Sequence, residues 1–86
     1  MPTISRFYGI LIQMYFADHA PAHFHALYAE FEALIAIQTF EVIRGELPGR
    51  AMALVLEWAQ QHRQELMEDW ELCVQNQMPA KIRPLP

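Results

Sequence analysis

Gly45-Glu46-Leu47-Pro48-Gly49 divides the chain in two, because the period of the hydrophobic pattern changes across it. Pro48 suits a first helical turn, where its missing N–H costs nothing and its fixed φ is already helical. Beyond it the apolar positions Ala51, Val55, Trp58, His62, Leu66, Trp70 and Cys73 recur with a mean step of about 3.7 residues, close to the α-helical period. No glycine or proline interrupts residues 50 to 77. A straight helix of that length would run roughly 40 Å, whereas a compact domain of this size is about 25 to 30 Å across. A bend or break is therefore expected near Gln60 to Arg63. His62 with Glu65 three residues on forms an imperfect capping box there.

On the other side of the divide the pattern is strand-like. Aromatic and β-branched residues fall in short runs: Ile4 to Tyr8, a turn at Gly9, then Ile10 to Phe16 with Ile10, Ile12, Met14 and Phe16 on one face. Asp18-His19-Ala20-Pro21-Ala22 reads as a loop, since Pro21 drives Ala20 out of the helical region. Further strands are expected at His23 to Tyr28, Ala33 to Gln38 and Thr39 to Arg44, with Ala29 to Glu32 as a hairpin link. Three prolines in Met78 to Pro86 predict an extended tail. The pattern predicts a single α+β domain over residues 1–86. An antiparallel sheet of three to five strands should be followed by one bent helix or two helices on one face, leaving the other face to carry the histidines.

The composition is 53% hydrophobic and 19% charged, which excludes a disordered chain. Of 86 residues one is cysteine, Cys73, so no internal disulfide forms. The chain opens without a signal peptide's basic start and long apolar run. Both features point to the reducing cytoplasm. The uncharged run Gly9 to Ala17 is too short to span a bilayer as a helix. With so many aromatic and methionine side chains in a short chain, and an apolar stripe through Trp58 and Trp70, a homodimer or tight heteromer is expected. The net charge of −4 gathers in Glu57, Glu65, Glu68, Asp69 and Glu71. Bulk charge thus gives RNA or DNA binding no support.

The chemistry is concentrated in Asp18-His19-x3-His23-x-His25. His23 and His25 share one strand face, and the preceding loop can fold Asp18 and His19 towards them. Three imidazoles and a carboxylate could thus converge; imidazole nitrogen suits zinc or another divalent transition metal, and three such ligands leave one position open for water. The same imidazoles could act as general acid and base near neutral pH. The plain alternative is that Asp18 caps the turn and the histidines lie on an exposed strand, where they contribute little to stability. Arg6, ahead of two aromatics, either holds phosphate or pairs with an acid. Cys73 reads as a packed small residue, and both tryptophans as core.

Met1-Pro2-Thr3-Ile4, Arg6-Phe7-x-Gly9, Asp18-His19-x-Pro21-x-His23-x-His25, Gly45-x-Leu47-Pro48, Glu57-Trp58, Glu65-Leu66, Trp70 and Ile82-x-Pro84-Leu85 occur in order along nearly the whole chain. Together they resemble the DUF4160 family of small bacterial proteins. That resemblance implies the toxin component of a type II toxin–antitoxin pair, with a DUF2442-like antitoxin as partner. If the toxin is catalytic, the activity expected is a ribonuclease using His19, His23 and His25 as acid and base, with Arg6 neutralising phosphate. Two other readings stay open: a small metal-binding protein using Asp18, His19, His23 and His25, and a non-catalytic protein-interaction module. The family usually has a second proline where Ala22 stands and valines where Phe24 and Ala26 flank His25.

Overall fold

The computed structural model describes residues 2–86. Five antiparallel strands form one sheet in chain order: β1 (Thr3–Phe7), β2 (Ile10–Gln13), β3 (His23–Tyr28), β4 (Phe31–Ala36) and β5 (Val42–Gly45). Helices α1 (Gly49–Gln61) and α2 (Arg63–Val74) follow. The change of period at Pro48 is thus the boundary between sheet and helices, and the break between helices falls at His62, whose φ of −128° is not helical. Two helices fit the molecule, whose extents are 33 × 26 × 22 Å, where one straight rod would not.

Strand register sorts the side chains. Ile10 and Ile12 on β2, Phe24 and Ala26 on β3, and Ala33 and Ile35 on β4 lie in cross-strand rows and are all fully buried. Val55, Trp58 and Leu66 of the helices complete this core, with Trp58 set against the rings of Phe7 and Phe24. The expected apolar stripe therefore faces inwards. Trp58 is fully buried and Trp70 is 7% exposed, so the stripe itself offers no surface to a second copy of the chain.

Several boundaries differ from the sequence expectation. The second strand stops at Gln13 rather than Phe16, because Ala17 takes φ 51° and its N–H turns to the Cys73 carbonyl of α2. Phe16 is consequently 40% exposed. The hairpin link is Ala29–Glu30 alone, with Ala29 at φ 52°, so β4 begins two residues earlier than expected, at Phe31. The fifth strand starts at Val42 rather than Thr39, after a turn in which the Thr39 hydroxyl accepts the Glu41 N–H. No helix among the described residues is long and apolar enough to cross a membrane.

The tail is extended, as three prolines require, but it is held. The Ile82 N–H donates to the Ile4 carbonyl of β1, the indole N–H of Trp58 donates to the Arg83 carbonyl, and the Ala80 N–H donates to Asp69 Oδ1. Ile82 and Leu85 are buried in the core. One sheet edge is thereby covered by the chain itself, while β5 forms the other edge with Val42 and Ile43 each about half exposed.

Candidate metal centre

His23 and His25 alternate with the core residues Phe24 and Ala26, so their imidazoles leave the opposite face of β3. There the segment after β2 folds back over them. Tyr15 stacks on the His25 ring with centroids 4.0 Å apart and planes 12° from parallel, and Asp18 reaches both imidazoles. Trp70 of α2 closes the other side against His23, ring centroids 5.2 Å apart. The histidines are consequently buried, 5% and 6% exposed, not displayed on an open strand face as expected.

Each imidazole is bounded by acceptors on both nitrogens. His23 Nδ1–H donates to the Pro21 carbonyl at 2.8 Å, and its Nε2 lies 3.0 Å from Asp18 Oδ2. His25 Nδ1–H donates to Glu32 Oε2 at 3.0 Å, and its Nε2 lies 3.4 Å from the same Asp18 oxygen. A neutral ring that gives its one proton at Nδ1 presents a lone pair at Nε2. Each Nε2 faces the same carboxylate oxygen within hydrogen-bond reach, and a bound metal ion would engage the Nε2 lone pairs in place of those hydrogen bonds.

Bonds of roughly 2.1 Å at tetrahedral angles place ligand atoms about 3.4 Å apart; His25 Nε2 lies at 3.4 Å from Asp18 Oδ2, and His23 Nε2, at 3.0 Å, is in direct hydrogen-bond contact with it. Ligand atoms of Asp18, His23 and His25 all lie within 4.8 Å of one another. Burial raises the Asp18 carboxyl pKa, but the His19 backbone N–H, the hydrogen bonds from His25 and His23, and the charge of His23 outweigh it and hold the group below its ordinary 3.8. Tyr15 is pushed the other way, by burial and then by the nearby Glu32 and Asp18 carboxylates.

His19 is not in the cluster. Its backbone N–H donates to Asp18 Oδ1 at 2.8 Å, which fixes the carboxylate, while its side chain is exposed. Arg6 is exposed on β1, in register with Leu11 and through it with Leu27, so it shares the His25 face but stands two strands away. Two participants, Glu32 and Tyr15, are not among the site residues that the sequence pattern singles out. The pattern puts Glu32 in the hairpin link; a two-residue turn instead pairs it with Leu27 and places it diagonally from His25. Neither the surface cleft of about 400 Å³ near Tyr28 and Arg50 nor the one of about 360 Å³ beside Ala22 and Thr39 is lined by Asp18, His23, His25 or Glu32.

Residues 9–71, most of the chain and the whole of this centre, match the domain of unknown function DUF4160. The chain belongs to the DUF4160 family. No curated protein and no solved structure matches it. In this DUF4160 protein the matched segment runs from the β1–β2 turn into α2, so it holds both carboxylates, both buried imidazoles and the two rings that pack on them.

Proposed function

We propose that this DUF4160 protein is a metal-binding domain, holding one divalent transition-metal ion between Asp18, His23 and His25. The observation that carries the reading is that both imidazoles are committed at Nδ1 to outer acceptors and direct Nε2 at one carboxylate oxygen. Metal-bound histidines almost always engage their second nitrogen in this way, which fixes tautomer and orientation. A nitrogen and oxygen donor set without thiolate suits zinc, iron(II), cobalt or nickel. Calorimetric titration should find about one zinc or nickel per chain, weakening below about pH 6 as protons compete for the imidazole nitrogens. No binding of either ion at micromolar concentration would remove the reading.

A second reading concerns the cell: the protein acts as the toxin of a type II pair, held in check by a small DUF2442-like antitoxin. The observation in its favour is the open β5 edge, where Val42 and Ile43 stand at the surface beside unpaired strand backbone. Cleavage of RNA by His23 and His25, with Arg6 on phosphate, is the less favoured mechanism, because the imidazoles are buried and flanked by Asp18 and Glu32, whose charge repels phosphate. Induced expression with and without the neighbouring reading frame tests the role. Growth unaffected by the DUF4160 protein alone would count against it.

A further inference from the structure

We infer that Glu32 is the positioning carboxylate of this centre, setting the tautomer and aim of His25 and with them the affinity for the metal. The inference rests on the metal reading above. Glu32 cannot be a ligand to the same ion, because it meets His25 at Nδ1, on the side of the ring away from Asp18. Its place is the outer shell, where a carboxylate accepting the second N–H of a ligand imidazole raises the basicity of that ligand. His25 is then constrained in every direction: Tyr15 covers its flat face, Asp18 stands at Nε2 and Glu32 at Nδ1.

Glu32 is itself held by an unusual close approach. A Cβ on Gly45 would lie 2.1 Å from the Glu32 carbonyl oxygen, and Gly45 takes φ +80°, a conformation that L side chains rarely adopt. The next residue, Glu46, donates its N–H to that same carbonyl at 3.0 Å. The end of β5 is therefore pressed onto the Glu32 backbone, although Glu32's own side chain is 44% exposed and would otherwise be free to rotate. Gly45 thereby serves the metal centre from two strands away.

The test is titration of the full chain with zinc, and with cobalt(II) for its ligand-field spectrum, in wild type, Glu32→Ala and Glu32→Gln, each with a thermal melt of the metal-free protein. Loss of an outer-shell partner typically weakens metal binding about 10- to 100-fold. Glu32→Ala should fall in that range. Glu32→Gln, which keeps an acceptor but loses the charge, should lie between it and wild type, with a metal-free melt like wild type. A Glu32→Ala affinity within about twofold of wild type would overturn the inference while the metal site stands. If Glu32→Ala does not fold, the isosteric Glu32→Gln decides, and an unchanged affinity and cobalt spectrum there would overturn the inference equally. Wild type that binds neither ion would sink the metal site itself, and this inference with it.

Discussion

Asp18 is partly buried and Asp69 fully so, yet their surroundings drive them in opposite directions. Asp18 is surrounded by donors, the His19 N–H and two imidazoles, and its carboxyl is held below the ordinary value even though burial pushes it up. Asp69 is 2% exposed on α2 with one donor, the Ala80 N–H. Its Oδ2 has no partner, and burial first, then the charges of Glu65 and Glu68, raise its carboxyl, against which that single hydrogen bond is too little. Burial by itself does not decide what a carboxylate does. The number of donors facing it does, and the donor-rich aspartate is the one that stays ionised beside the two buried imidazoles.

The largest effect should come from stripping those donors. His23→Ala with His25→Ala should cost about 2 to 4 kcal/mol, because two buried and hydrogen-bonded rings are lost, and should abolish metal binding. Denaturant unfolding and titration check both. A double variant as stable as wild type would mean that the imidazoles behave as surface groups.

Removing the charge of Asp18 should matter next. Asp18→Asn should weaken zinc binding by at least about 100-fold, beyond the range of outer-shell partners, as read by competition with a chromogenic chelator. Its stability should also follow pH differently. A lowered folded-state pKa means stability that is present above 3.8 and lost as pH falls through the lower folded value. The acid limb of the wild-type stability curve should therefore flatten in Asp18→Asn.

Asp69→Asn should do the reverse and do it more gently. Its raised folded-state pKa means that stability is full below 3.8 and declines as pH rises towards the folded value. Removing the ionisable group should stabilise the protein at pH 7 by about 1 kcal/mol, an increase of roughly 4 to 8 °C in thermal midpoint for a domain of this size, and by less at pH 4. A lower midpoint at pH 7 would show that the Asp69 charge has a use not visible in its contacts.

Much of the frame was legible because it rests on periodicity and on breakers. Pro48 marked the change from sheet to helix, the His23–Tyr28 strand matched its expected bounds, and the compactness of the domain called for a break near Gln60 to Arg63, which falls at His62. The site was only half legible. Alternation alone put His23 and His25 on one face, and a flexible loop let Asp18 reach them. Excluding His19 required the backbone path through Ala17, a left-handed residue with no glycine to announce it. Finding Glu32 required the hairpin register, since a turn over Ala29 to Glu32 would set Tyr28 opposite Ala33 instead of Phe31 and shift every partner by two. Burial of the cluster depended on Tyr15 and Trp70 arriving from segments far apart in sequence.

The strap formed by the last residues also has a consequence for synthesis. Ile82 and Leu85 are core residues, and the indole of Trp58 finds its acceptor at Arg83. A nascent chain in which residues 80–85 are still inside the ribosome thus has the sheet and both helices but an open core, with Trp58 unpaired and the edge of β1 bare. Completion of the native core must await emergence of those residues, and until then β1 is a strand edge available to a chaperone or to another emerging chain.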